Sequence, residues 1–169
     1  RLIPRKAIHL LIEALAQLRN RSWRLTIIGD GPERERLSGL ARQADIQEKV
    51  EFSGDMDRRR IAEILPECDL FILPSLAEGM SNAALEAMAC GLPVLLTETG
   101  GSHELVNENG TVVPCGDVEA LKKALVDLLA NRERWTEMGK RSREIAESLS
   151  WSATAQRYIS LLRQAAGKE

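Results

Sequence analysis

The stretch Pro74-Ser75-Leu76-Ala77-Glu78-Gly79-Met80-Ser81-Asn82-Ala83-Ala84-Leu85-Glu86-Ala87-Met88-Ala89-Cys90-Gly91 decides how this chain is read. An apolar run, Leu70-Phe71-Ile72-Leu73, feeds it and has the length of a buried strand. A loop carrying Glu78 and Gly79 follows. Ser81 then suits the N-cap of an alanine-rich helix over residues 81–90. Gly91-Leu92-Pro93 closes that helix, with glycine just past its end and proline beyond. A helix start offers free backbone N–H groups and the positive end of the dipole, so it receives anions. Gly79 allows close approach of the backbone to a ligand, and Ala83, Ala84, Ala87 and Ala89 keep the helix thin.

The dipole contributes only ~0.3–2 kcal/mol to holding an anion, so a bound diphosphate also needs cationic side chains. Arg1 and Lys6, five positions apart across a strand-to-helix turn, are the candidates. Glu78 and Glu86, eight positions apart, can flank one extended ligand. A carboxylate accepts two hydroxyls at once, as a sugar diol presents them. Taken alone, these features read by default as solvated surface: two exposed carboxylates and two surface charges.

Outward from this stretch, short β-branched or apolar runs alternate with amphipathic helical patterns. Strands are predicted over 24–28, 50–54, 69–73, 94–97 and 110–114. Helices are predicted over 6–19, from Pro32 to about 45, over 57–67 with Asp57 as cap, and over 81–90. Pro66 is expected to break the third of these. Ser102 begins one short helical turn, Asp117 caps a longer helix, a further helix spans 131–148, and a last one starts at Ser150-Trp151. The alternation predicts an α/β fold, a Rossmann-like three-layer α/β/α arrangement with a parallel sheet. Ligands of such sheets sit at the carboxyl ends of the strands, and the loops after Ile28, Phe52, Leu73 and Thr97 share that edge. Gly29-Asp30-Gly31-Pro32 invites a dinucleotide reading, but Arg34 stands where the third glycine of the fingerprint belongs, so it reads as a structural turn.

At 169 residues the chain is expected to be one domain, spanning 1–169. A net charge of −2 leaves no basic footprint for nucleic acid, and no apolar run approaches the ~20 residues of a membrane span. Cys68, Cys90 and Cys115 are odd in number and lack metal-ligand spacing, which suits reduced thiols in the cytoplasm. His9 and His103 read as surface or half-buried residues. Trp151 and Tyr158 read as anchors for the last helix. Gly79-Met80-Ser81-Asn82-Ala83 comes near a hydrolase nucleophile elbow, but Ser81 lies well past the strand end.

Glu78-Gly79 with Glu86-Ala87-Met88-Ala89-Cys90-Gly91-Leu92-Pro93-Val94 resembles the Glu-x7-Glu signature of retaining glycosyltransferases of family 4, which have the GT-B fold. Arg1-x4-Lys6, Ile28-Gly29-Asp30-Gly31-Pro32, Phe52-Ser53-Gly54, Asp69-Leu70-Phe71-Ile72-Leu73-Pro74-Ser75, Gly100-Gly101 with Glu104, and Ser150-Trp151 fall in the family's order. The resemblance covers essentially the whole chain, but only the C-terminal, donor-binding half of such an enzyme. It implies a UDP- or GDP-sugar as donor substrate, with no metal and no other cofactor. Arg1 and Lys6 would clamp the diphosphate, Glu86 would take the ribose hydroxyls, and Glu78 would sit catalytically beside the donor sugar. Backbone N–H groups of Gly79, Met80, Ser81 and Asn82 would meet phosphate or sugar oxygens, and residues 54–56, from Gly54 to Met56, would edge the base. An absent N-terminal domain would bring the acceptor glycan or lipid-linked glycan, and would meet the last helix. On this reading the isolated chain binds donor without transferring it, and the whole enzyme is cytoplasmic, peripheral at the inner membrane face. A nucleotide-sugar epimerase half and a non-catalytic nucleotide-sugar binding module are the alternatives. Two departures stand out: Ala7 where the family often has glycine, and Met80-Ser81 where it commonly has Phe-Gly.

Overall fold

A computed structural model describes residues 1–149 and 151–167 of the chain. Its elements follow in order as α1 (Ile8–Ala16), β1 (Leu25–Ile28), α2 (Arg34–Gln43), β2 (Val50–Gly54), α3 (Arg58–Ile64), β3 (Phe71–Leu73) and α4 (Asn82–Ala89). Then come β4 (Val94–Thr97), α5 (Ser102–Leu105), β5 (Gly110–Val113), α6 (Val118–Ala130), α7 (Trp135–Ser148) and α8 (Trp151–Ala165). Ser150, expected to open the last helix, lies outside the described residues.

All the described strand pairs are parallel. β1 runs beside β2, with Leu25 opposite Val50 and Ile27 opposite Phe52, and the register slips at Ile28, which faces Gly54. β4 lies between β3 and β5, with Phe71 opposite Val94 and Val94 opposite Gly110. The expected sheet is thus built of two hydrogen-bonded ladders, joined by side-chain packing: Leu25 of β1 and Ile72 of β3 lie on one core with Leu15, Leu95 and Leu125. Strand alternation explains the layers. Leu95 faces α1 and α6, while its neighbours Val94 and Leu96 face Ala84 and Met88 of α4. Ile145, Ala146 and Leu149 of α7 and its end pack on that second face. All four residues of β4 are buried, the condition of a strand covered on both sides.

Element ends differ from the periodic pattern where local chemistry intervenes. The pattern over 6–19 is interrupted at Ala7, which takes left-handed angles, φ 47° and ψ 34°. Pro4 starts a single 3-10 turn through Lys6, and α1 begins only at Ile8. A left-handed alanine costs about 1–2 kcal/mol. Its buried methyl and the bonds of its N–H to Pro4 and its carbonyl to Leu10 offset that. Pro66 converts the end of α3 into a 3-10 turn over Leu65–Glu67, and another 3-10 turn, Arg132–Arg134, precedes α7. The predicted caps hold: Asp57 accepts from the Arg60 N–H at 2.8 Å and Asp117 from the Ala120 N–H at 2.8 Å. On α8, Tyr158, Ile159, Leu161 and Leu162 are exposed, so Tyr158 does not anchor this helix within residues 1–167 as expected; the Trp151 side chain lies outside what the structure describes. Among the described residues, no helix is long and apolar enough to cross a membrane.

Candidate functional site at the strand ends

The opening segment lies across the carboxyl ends of the strands. The Leu2 N–H donates to the Asp30 carbonyl just past β1 (2.8 Å), and the Leu2 carbonyl accepts from the Glu33 N–H (3.2 Å). At the other end, the Arg5 carbonyl accepts from the Leu76 N–H just past β3 (2.8 Å). Gly31 makes the first crossing possible. Its φ is 156°, and a Cβ there would sit 2.4 Å from the Leu2 carbonyl oxygen. The turn after β1 is therefore a seat for the opening segment, in keeping with its structural reading.

This path, bent at Ala7, brings Lys6 to Glu78. The Lys6 Nζ donates to Glu78 Oε1 at 2.5 Å. The same oxygen accepts from the Ser75 hydroxyl at 2.8 Å. Ser75 is fully buried, and its carbonyl accepts from the hydroxyl of buried Thr97 at 2.5 Å. Burial of Glu78 would raise its carboxyl. The hydrogen bonds from Lys6 and Ser75, with the charges of Lys6 and Arg5, outweigh that and hold it below the ordinary carboxylate range. The loop after β4 closes on the acidic loop backbone to backbone: a Cβ on Gly100 would stand 2.8 Å from the Glu78 carbonyl oxygen.

Beyond Glu78 the backbone is open. The N–H groups of Gly79, Met80, Ser81, Asn82 and Ala83 meet no protein acceptor among the described residues. The first helical bond of α4 runs from the Leu85 N–H to the Ser81 carbonyl (3.0 Å), and the Ser81 hydroxyl accepts from the Ala84 N–H (3.3 Å). Ser81 is thus the N-cap and not a nucleophile on an elbow. Gly79, Met80, Asn82 and Ala83 are exposed, so a row of donors faces outward at the positive end of α4.

The other expected residues fall along the same rim. Arg1 is exposed, with its backbone against Gly29. It stands at the β1–β2 end and Lys6 at the β3 end, so the two cations bracket the rim. The Gly54 carbonyl accepts from the Gly29 N–H (2.7 Å), and half-buried Met56 lies two residues further. Glu86 is half-buried on α4, and no described residue hydrogen-bonds its carboxylate. Burial raises the thiol of Cys90, one helical turn on; Arg143 opposes this and Glu86 adds to it. His103 of α5 pairs at 3.3 Å with Glu98 of the preceding loop, both exposed, as a solvated surface contact. Sequence reasoning gave no role to Ser75, Thr97 or Arg5. Nothing local indicates that the Ser75 hydroxyl serves Glu78, or that Thr97 reaches back from another strand.

A family model described as "Glycosyl transferases group 1" matches residues 1–145. The chain belongs to the glycosyl transferases group 1 family. This group 1 domain is 35% identical over 174 residues to the GDP-mannose-dependent alpha-(1-6)-phosphatidylinositol monomannoside mannosyltransferase of Mycolicibacterium smegmatis, an alignment covering 96% of the chain and 46% of the relative. It thus spans about half the length of the curated relatives it matches. Among solved structures it is similar to Anabaena Alr3699/HepE in complex with UDP, with a TM-score of 0.84, 26% identity, and coverage of 98% of this chain and 47% of that one. The C-terminal domain of the group 1 protein LpcC from Francisella tularensis matches with a TM-score of 0.76 at 20% identity, covering 88% of this chain and 82% of that one. The fold is therefore that of the C-terminal domain of a GT-B glycosyltransferase.

Proposed function

We propose that residues 1–169 form the donor-binding half of a retaining glycosyltransferase that moves a sugar from a nucleoside-diphosphate sugar to an acceptor, in glycan, polysaccharide or glycolipid synthesis. The observation that carries this reading is the Lys6–Glu78 pair, 2.5 Å apart beside the unpartnered N–H groups at the start of α4. Cation, carboxylate and backbone donors on one rim suit a ligand that combines a diphosphate with sugar hydroxyls. An ammonium has three donors, so Lys6 can keep Glu78 and still meet a phosphate oxygen. Arg1 meets the diphosphate from the other end of the rim, and Glu86 takes the ribose hydroxyls. Residues 54–56 edge the base, and Glu78 stands beside the transferred sugar as the catalytic carboxylate. Cations and helix start stabilise the charge that develops on the leaving diphosphate.

The family resemblance, with the relative's GDP-mannose and the HepE complex's UDP, supports a UDP- or GDP-sugar as donor. The acceptor, a glycan or lipid-linked glycan, belongs to an N-terminal domain that this chain does not contain. The whole enzyme works in the cytoplasm, peripheral at the inner membrane face. Calorimetric titration of the chain with UDP, GDP and their sugars tests the reading. Weak binding is expected, unchanged by a chelator, lost in Glu86→Ala and unaccompanied by sugar transfer. A Glu86→Ala variant that binds every ligand like the parent contradicts it.

A further inference from the structure

We propose that Ser75 is the positioning residue for Glu78: its buried hydroxyl, on a backbone held by Thr97, fixes Oε1 of the carboxylate and leaves Oε2 as the oxygen that meets the donor. The inference rests on the donor reading above for the last clause only. Oε1 accepts two hydrogen bonds, from Lys6 at 2.5 Å and from Ser75 at 2.8 Å. Oε2 has no partner among the described residues. A carboxylate can in principle accept from a sugar diol through both oxygens. Here one oxygen is already held, so Glu78 takes one hydroxyl in a fixed direction.

The two serine contacts are of different kinds. Ser75 donates to the carboxylate through its side chain and receives the Thr97 hydroxyl on its carbonyl. Cys115 also lies on that carbonyl, at 3.6 Å. Ser75 and Thr97 are among the few fully buried polar side chains outside the helix caps. Buried hydroxyls cost stability unless they are bonded, and this chain of bonds ends on the site carboxylate. The connection also runs between elements: Thr97 closes β4, Ser75 follows β3, and Lys6 arrives from the opening segment. A displacement of any of them reaches Glu78 through one or two bonds.

The test is made on this chain, with the glutamate side-chain carboxyls labelled with carbon-13 and the Glu78 signal assigned by its loss in Glu78→Gln. Acid titration of Ser75→Ala is expected to move the Glu78 midpoint upward, because a hydrogen bond to the charged form is gone. Thr97→Val, which keeps the side chain's shape, moves it in the same direction, and Thr97→Ser restores it. UDP-glucose and GDP-mannose affinity at pH 7 falls about tenfold in Ser75→Ala, the usual effect of losing one bond to a charged group. The acid limb of the binding profile moves with the Glu78 midpoint. A lowered melting temperature with the Glu78 midpoint unmoved would make Ser75 a packing residue and overturn the proposal. If Ser75→Ala does not fold, Thr97→Val and Thr97→Ser decide the matter by the same midpoint. If the midpoint moves while the parent binds no nucleotide sugar, the positioning of Glu78 stands and the donor reading fails.

Discussion

Gly139→Ala is expected to destabilise the chain by about 3 kcal/mol, the upper range for forcing extra atoms into a packed interior. Gly139 lies on α7 where that helix crosses the end of α4. A Cβ there would stand 2.1 Å from the Gly91 carbonyl oxygen and 3.2 Å from the Gly91 carbonyl carbon. Neither atom can swing aside. Gly91 ends α4 in the left-handed region, φ 79°, with its N–H on the Met88 carbonyl at 2.9 Å, and Leu92-Pro93 leads straight into buried β4. The helix α7 must then lift, which draws Ile145, Ala146 and Leu149 away from Ala84 and Met88. Gly39→Ala is the control. Gly39 lies inside α2, and a Cβ added there would have nothing within 4 Å, so alanine stabilises by about 0.5–1 kcal/mol. Urea unfolding of both variants checks the pair. Equal midpoints would contradict the packing described.

Lys6→Ala is expected to weaken donor binding at least a hundredfold, in the range measured when one partner of a desolvated charge pair is truncated. The variant loses a phosphate partner and leaves Glu78, with a side chain 12% exposed, without its cation. The pH dependence of stability should change with it. The folded chain holds the Glu78 carboxyl below its ordinary value. The pair's contribution is therefore fully present above the unfolded glutamate pKa of about 4.3 and is lost as pH falls through the lower folded value. Parent and Lys6→Ala should differ most in stability near neutral pH and converge in acid. Lys6→Arg keeps the charge but not the compact ammonium, and restores only part of the affinity. Thermal melts across pH, with calorimetry at pH 7, check both expectations. A difference that widens as the pH falls would contradict the sign.

Much of this architecture is written in local pattern. The runs that became β2 and β4 sit where the apolar residues end in glycine or polar turns, and the caps Asp57, Ser81 and Asp117 precede their helices as capping chemistry requires. The break at Ala7 is not legible in the local pattern, because alanine is the best helix former and the apolar spacing continues through it; only the family's frequent glycine at that place points to the left-handed angles found there. Tertiary hydrogen bonds to Asp30 and Leu76 set that bend. The candidate site was legible as a set of residues and not as a set of contacts. Lys6 and Glu78 are separated by 72 positions, and no periodicity connects them. Asn109 shows the same limit in the core. It is fully buried, and its side-chain amide donates to the Leu105 carbonyl (3.0 Å) and to the Ser142 hydroxyl (3.1 Å). A polar residue in a loop-like run gives no sign of that role.

The most direct measurement of the central claim is a nitrogen-15 NMR titration of the chain with GDP and UDP, which reports where a nucleotide sits without any enzymatic turnover. The account predicts that the largest shifts fall on the amides of Lys6, Gly54 and Met56, and of Gly79, Ser81, Asn82 and Ala83. Shifts confined to the shallow cavity lined by Arg21, Ser22, Leu129 and Arg132, with the amides at the start of α4 unmoved, would contradict it.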